Sequence, residues 1–301
     1  MSKSADVFNL MDNLLPLSNQ VEVTEPGEMQ RLYAGIGMPA LRVAELAEQN
    51  HLFTYHEVKA ANPLLSLTDP IRLRHRYEQL RAQALQGDSD ALNDLGWLWL
   101  NGSRLEPNPL LAKRIFKIAA VLGSSEALFN LAEQAFYGKG VMTNPVLAID
   151  YYEQAFESGI PCAAKSLGGL YERGDDGVPI DHAKAIDWYK RGADEQDVMA
   201  CFLHGRLALD ESSSEYNPAV GLYWLQWAAM SGVVFASERL ADFYRYNFDT
   251  PPDPEGWLYC FWRDMAVNQG SSCAREWCAL DVGLLPVSKR SKDGTHHDLN
   301  V

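Results

Sequence analysis

Small and apolar residues recur through residues 91–270 at spacings of three, four and seven, which places them on one face of an α-helix. One motif returns at a nearly fixed interval: a small residue followed four and five positions later by Leu-Gly or a substitute. It opens at Ala91, Ala127, Ala163, Ala200 and Ala236, so successive openings are 36, 36, 37 and 36 residues apart. This period predicts a stack of helix pairs, each too small to bury its apolar face alone.

A second helical motif follows each opening and contains a small or apolar residue, an aromatic residue and a small pair. It occupies residues 112–120, 148–156, 185–193, 221–229 and 259–267. Alanine or glycine at a helix crossing lets two backbones approach closely, and an aromatic ring from the neighbouring helix fills the groove beside it. We therefore expect the two helices of each unit to pack tightly.

The ends of these helices carry their own signals. Three second helices open with Asn followed by Pro, where Asn caps the helix and Pro suits its first turn. The pairs are Asn108 with Pro109, Asn144 with Pro145, and Asn217 with Pro218. A glycine closes most units because it readily adopts the left-handed conformation that ends a helix. These closing residues are Gly123, Gly159, Gly232 and Gly270, with Gln196 in that place once.

The third unit shows the fullest pattern, A-x3-LG-x2-Y, then a Gly-rich turn, then KA-x2-WY. Its matching residues include Ala163, Leu167, Gly168, Tyr171, Lys184, Ala185, Trp188 and Tyr189. The pattern resembles the Sel1-like repeat family, which is related to tetratricopeptide repeats. The resemblance covers about five units and implies an all-α fold: a right-handed α/α superhelix, or solenoid, of helix-turn-helix repeats of about 36 residues with helical caps. Arg263 departs from it by standing where Tyr is usual.

The flanks are expected to cover the ends of the stack, because a terminal repeat otherwise exposes an apolar face. We predict a partly ordered N-terminal segment and a helical cap region before about five repeats. A C-terminal capping helix and a polar, disordered tail are predicted to follow them. The boundaries are 1–28, 29–87, 88–272, 273–285 and 286–301.

The net charge and the cysteine content limit the classes of partner and the cellular location that we expect. The net charge of −14 and the pI near 4.9 argue against nucleic acid and acidic membranes as partners, and permit a basic protein partner. The first residues lack the basic start and clean apolar run of a signal peptide, and no stretch is long and apolar enough to span a membrane. Five irregularly spaced cysteines are a poor disulfide framework. We expect a cytoplasmic protein.

The sequence shows no catalytic, cofactor-binding or metal-binding motif. We therefore predict a protein that is not an enzyme and that needs no cofactor or metal. Its expected role is a scaffold or adaptor that binds a partner protein. A narrower form, drawn from the use of such repeats in bacteria, is an immunity or regulatory protein that neutralises a toxin or effector. The oligomeric state stays open.

The partner is expected in the concave groove that the family resemblance places along the first helices of the units. Positions on either side of the Leu-Gly column are expected to face it, and they mix aromatic with charged side chains, as protein interfaces do. These positions are Asn93, Trp97, Phe129, Glu133, Phe136, Lys165, Glu172, Arg173, Phe202, Arg206, Asp242, Arg245 and Tyr246.

Two other functions stay open. A hydrolase acting on a glycan or peptide in the groove would need converging carboxylates, for which Glu133, Glu172, Glu238 and Asp242 are the candidates. A structural oligomer would instead need a self-complementary exposed face.

Overall fold

The computed structural model describes residues 11–20, 70–101, 105–246 and 256–281. The chain divides into two compact units between Asp197 and Val198. The segments predicted for residues 29–69 and 286–301 lie outside the described residues. Within the described residues the regular structure is helical, apart from isolated β-bridges such as that between Asp175 and Val178, which confirms the predicted all-α fold of helix pairs.

The first unit contains seven described α-helices and a short 3₁₀ turn, Ser18–Gln20. The helices are α1 (Pro70–Leu85), α2 (Ser89–Asn101), α3 (Pro109–Val121), α4 (Ser125–Tyr137), α5 (Pro145–Glu157), α6 (Cys162–Arg173) and α7 (His182–Asp194). Each packs on the next along the chain, and α2 with α3, α4 with α5, and α6 with α7 form the closest pairs. These are the first three predicted units.

The second unit contains five described helices arranged on the same plan. They are α8 (Val198–Ala208), α9 (Pro218–Met230), α10 (Val234–Tyr246), α11 (Trp257–Asn268) and α12 (Ser272–Asp281). The pairs α8 with α9 and α10 with α11 pack closely, and α12 rests on α11. The degenerate fourth and fifth units therefore form helix pairs like the others.

Residues 11–20 pack against α1 at the start of the first unit. Met11 and Leu15 are buried in the same apolar cluster as Tyr77. The Tyr77 hydroxyl donates to the carbonyl of Pro16 at 2.9 Å, and Arg81 forms an ion pair with Asp12 at 2.6 Å. A short N-terminal segment is thus held on α1 by both apolar and polar contacts.

The small residues of the first helices make room for rings of the second helices, as predicted. A Cβ atom added to Gly96 would lie 2.6 Å from the ring of Phe116, and one added to Gly168 would lie 2.3 Å from the ring of Tyr189. Neither position has space for a side chain. Glycine at these two positions of the Leu-Gly column is therefore required by ring packing within the first and third pairs.

The turn between the two helices of a pair is closed by the residue that caps the second helix. The side chains of Asn108, Asn144, Asp181 and Asn217 each accept a hydrogen bond from the backbone two or three residues into that helix. The N–H of the same residue donates back to a carbonyl near the end of the first helix, as Asn144 does to Ala135 at 2.8 Å. The capping residue thus fixes both the start of one helix and its position beside the other.

The second helices end in a common hydrogen-bonded turn. In the first repeat the N–H of Ser124 donates to the carbonyl of Ala119 across Gly123, which has a φ of 104°. The same arrangement recurs at Gly159, Gln196, Gly232 and Gly270. This is the Schellman geometry, in which a left-handed residue lets the chain reverse and satisfies the last carbonyls. The predicted closing positions are confirmed.

Candidate functional site

In each unit one first helix also contacts the first helix of the next repeat. In the first unit α2 contacts α4, and in the second α8 contacts α10. The amide of Asn130 on α4 donates to the side-chain oxygen of Asn93 on α2 at 2.7 Å. We call the outward side chains of these helices the first-helix face, α2, α4 and α6 in the first unit and α8 and α10 in the second.

Three of the residues predicted to line a groove are buried. Asn93 is 0% exposed, Trp97 is 1% exposed and Phe129 is 9% exposed. Every residue of α2 from Ala91 to Asn101 is buried. The prediction that these three side chains lie open to a partner is therefore wrong.

The cause is the apolar character of α2 itself. The run from Trp97 to Leu100 places large apolar side chains on every side of one helical turn, and a helix that is apolar all round is a buried helix. Phe129 instead packs edge-on against Tyr152 of its own pair, with ring centroids 5.5 Å apart. The prediction that residues on either side of the Leu-Gly column face a groove assumed that each first helix has one solvent-exposed side. The helix α2 has none.

Two predicted acids of the first unit are tied to tyrosines of their own repeat. The hydroxyl of Tyr152 donates to Glu133 at 2.5 Å, and that of Tyr189 donates to Glu172 at 2.7 Å. Burial raises the pKa of Glu133, and the hydrogen bond from Tyr152 and the charge of Lys165 partly oppose this shift. These half-buried carboxylates hold the second helix against the first.

The remaining predicted residues of the first unit are more open. Lys165 and Arg173, near the two ends of α6, are exposed, and Phe136 on α4 is half-buried. Phe136 stacks edge-on with the exposed Tyr137 at 4.8 Å between ring centroids. Lys165 and Arg173 are therefore the predicted residues of this unit most available to a partner.

In the second unit Tyr246 is the most open of the predicted residues, at 70% exposed. Asp242 is half-buried and forms an ion pair with Arg239 at 3.7 Å. Phe202 and Arg206 on α8 are half-buried. Phe202 lies 6.3 Å from Phe235 of α10 between ring centroids, so it contributes to packing within the unit.

Arg245 belongs to a buried charge cluster that sequence reasoning missed. Asp281, the last residue of α12, is 5% exposed and accepts from the hydroxyl of Tyr259. It forms ion pairs with Arg263 at 3.0 Å and with Arg245 at 3.7 Å. Burial and the neighbouring Asp281 carboxylate raise the pKa of Tyr259. Arg245 therefore joins α10 to α12 and is less available to a partner than predicted.

Arg263 supplies the signal that could have found this cluster. It occupies the column that holds Phe116, Tyr152 and Tyr189 in the first three repeats, so a charge stands where an aromatic ring is expected. A half-buried arginine requires a carboxylate nearby. Asp281 meets that requirement.

The described residues offer little redox or metal chemistry. All five cysteines are free thiols, and burial raises the pKa of Cys162 to about 12, which keeps this thiol protonated and unreactive. Within the described ranges, no group of three His, Cys, Asp or Glu side chains converges in a way that could hold a metal ion. None of the helices described is long and apolar enough to cross a bilayer.

Comparison with known proteins identifies the repeat that builds these helix pairs. The Sel1 repeat family model matches residues 89–124, 125–160, 163–197 and 198–233, which correspond to the first four helix pairs. Protein sel-1 homolog 2 of Mus musculus is 30% identical over 134 residues, which make up 44% of this chain and 19% of that protein. The chain therefore spans about a fifth of the length of this curated relative.

Two solved structures share the fold over most of the chain. One is a Sel1 repeat protein from Oxalobacter formigenes, with a TM-score of 0.61 at 22% identity, covering 85% of this chain and 96% of that one. The other is a protective antigen present in uropathogenic Escherichia coli strains. Its TM-score is 0.61 at 24% identity, over 86% of this chain and 52% of that one. At this level of identity the likeness concerns the fold.

Proposed function

We propose that this chain, which is a Sel1-repeat protein across residues 89–233, binds another protein along its first-helix face. The repeat scaffold is typical of protein–protein interaction. The observation that carries the proposal is the contrast between buried and open positions on the same helices. Lys165, Arg173 and Tyr246 are exposed, whereas Leu167 and Tyr244 beside them are buried in the packing of their units.

Exposed basic and aromatic side chains on a rigid scaffold suit recognition of a protein surface. Arginine and tyrosine are among the residues that most often carry binding energy at interfaces. Because the helices beneath them are fixed by buried rings and capped ends, the backbone positions of these side chains are set before a partner arrives, so binding orders side chains and not the backbone. The proposed activity is therefore non-enzymatic.

The narrower form of the proposal concerns the site and the partner. The partner would lie in a groove along the first-helix face of one unit, and the net charge of −14 would draw a basic protein by long-range attraction. An immunity or regulatory protein that neutralises a basic toxin or effector would have these properties. The proposed location is the cytoplasm, where the five irregularly spaced cysteines would stay reduced.

The test is affinity capture from the cells that make the protein, with quantitative mass spectrometry of the captured proteins. The wild-type chain is compared with a Lys165→Glu, Arg173→Glu variant, which changes two exposed residues of α6. We expect one partner in near-stoichiometric amount with the wild type. The variant should reduce it about tenfold or more, because the lost short-range contacts outweigh the added attraction to a basic partner by about 1.4 kcal/mol or more.

The matched control is an Arg114→Glu, Lys190→Glu variant, which makes the same charge change at exposed positions on the second helices α3 and α7. This control is expected to retain the partner. Equal loss with both variants would show that net charge rather than the first-helix face governs capture. Full retention by the α6 variant would refute the proposed binding face in the first unit.

A further inference from the structure

A cavity of about 260 Å³ opens in the second unit between the end of α8, the loop that follows it, and α10. Its wall contains both acidic and aromatic side chains. Carboxylates are supplied by Asp210, Glu211 and Asp242, and aromatic rings by Tyr216, Phe243 and Tyr246. Pockets that take a whole small-molecule ligand have volumes of about 300 Å³ or more. This cavity lies just below that volume and has room for a single side chain.

The charge within the cavity is unbalanced. Arg239 is the one basic residue of the described lining, and it pairs with Asp242 at 3.7 Å on the same helix. Asp210 and Glu211 are exposed and add two further negative charges on the loop side. The charges of Arg239 and Arg206 also act on Asp210, as the two smallest influences on it. The cavity thus keeps an excess of acceptors for a positive group.

The loop holds one of these carboxylates in a fixed direction. Asp210 accepts hydrogen bonds from the backbone N–H of Ser212 at 2.9 Å and from its hydroxyl at 2.6 Å. These hydrogen bonds lower the pKa of Asp210, and the charges of Arg239 and Arg206 act in the same direction. The carboxylate is therefore ionised at neutral pH and is held at the mouth of the cavity.

The aromatic residues are open although they are large. Tyr216 is 45% exposed and Tyr246 is 70% exposed. Aromatic faces attract a guanidinium or ammonium group, and the attraction is greater when carboxylates nearby complete the solvation of the cation. Arg245 already lies 5.8 Å from the centroid of the Tyr246 ring, so this ring accepts a cation, and open rings beside a fixed carboxylate are an arrangement suited to a further cationic side chain.

We propose that this cavity is the docking pocket for an arginine or lysine side chain of the protein partner. The inference rests on the proposed function, because it names the chemistry that the second unit recognises. The cation would enter against Tyr246 and Tyr216 and meet Asp210 and Glu211. Asp242 remains engaged by Arg239, which leaves Asp210 and Glu211 as the carboxylates that meet the cation.

The test uses the full chain and a defined probe, the tripeptide acetyl-Gly-Arg-Gly-amide, followed by NMR chemical-shift titration. Its neutral isostere, in which citrulline replaces arginine, is the first control. We expect the arginine peptide to bind about tenfold more tightly than the citrulline peptide, with shifts confined to the cavity residues. Equal binding of the two peptides, or absence of binding by the arginine peptide, would overturn the proposal.

Variants separate the pocket from general electrostatic attraction. Asp210→Asn with Glu211→Gln is expected to weaken the arginine peptide about fivefold, and Tyr246→Leu to weaken it about threefold. Glu215→Gln with Glu276→Gln removes the same two charges at exposed positions outside the described lining and is expected to leave the affinity unchanged. Equal effects of the two double variants would show that net charge, not the pocket, attracts the peptide.

The outcomes also distinguish this inference from the proposed function. The peptide titration needs no natural partner, so it reports on the pocket even if affinity capture yields nothing. Capture that depends on Lys165 and Arg173, together with no preference for arginine over citrulline, would retain the binding function and refute the pocket.

Discussion

A single left-handed residue at the end of each second helix decides how the chain turns to the next repeat. Among the described residues, Gln196 is the one non-glycine with a positive φ, 61°, and it occupies the place held by Gly123, Gly159, Gly232 and Gly270. The hydrogen bonds around it are those of the other turns, since the N–H of Asp197 donates to Gly192 at 2.9 Å. The geometry of the repeat therefore overrides the preference of the side chain.

Replacing Gln196 with glycine is expected to stabilise the protein. A left-handed conformation costs a residue with a Cβ roughly 1–2 kcal/mol. Glycine avoids this cost but loses more conformational entropy on folding, so only part of the roughly 1–2 kcal/mol appears as added stability. We expect the free energy of unfolding to rise by about 0.5–1 kcal/mol in urea titrations followed by circular dichroism. Gln196→Ala keeps the Cβ and should not stabilise. A gain of the same size with alanine would assign the effect to the glutamine side chain instead.

At the scale of helices, the caps and crossings were predictable and the buried charges were not. Asn-Pro pairs, closing glycines and the Leu-Gly column act through local geometry, so their spacing predicts the structure directly. The ion pairs of Asp281 join three helices of the second unit, α10, α11 and α12. A single carboxylate at the end of a helix is part of no sequence motif, so these ion pairs could not be predicted. Only the arginine in an aromatic column, Arg263, indicated that a partner was needed.

Asp281 is expected to hold the last three helices together. Asp281→Asn would leave Arg245 without this carboxylate and Arg263 with the exposed Asp264, so we expect a cost at the lower end of the about 3–5 kcal/mol for breaking a buried pair. Hydrogen exchange followed by mass spectrometry should show faster exchange in α11 and α12, with little change in the first unit. The exposed Asp264→Asn variant removes the other partner of Arg263 and should cost at most about 1 kcal/mol. Similar exchange in both variants would mean that Asp281 is not the main contact.

At the scale of the whole chain, the fold was predictable from the repeat period, and the position of the open surface was not. A 36-residue interval, seen at Ala91 and Ala127, reports a helix pair without any knowledge of its neighbours. Exposure depends on what surrounds each helix, and this is why Asn93 and Trp97 are buried although they occupy the same columns as more open residues in other repeats. The repeat resemblance is confirmed by the family match across four pairs, whereas the partner stays a prediction.

The net charge of −14 leads to a prediction about the rate of partner association. If the partner is basic, attraction between the two surfaces accelerates the encounter, and salt shortens the range of that attraction from about 10 Å at 0.1 M to about 3 Å at 1 M. We expect the association rate constant for the captured partner to fall about tenfold or more over this range in stopped-flow or surface-based kinetics. The dissociation rate constant should change far less, because it depends on short-range contacts such as those proposed for Tyr246.

The Arg114→Glu, Lys190→Glu variant, which is four charges more negative and leaves the first-helix face intact, should associate faster at low salt and equally fast at high salt. An association rate that is insensitive to salt in both proteins would mean that the partner is not basic, and that the acidic surface serves a purpose other than attracting it.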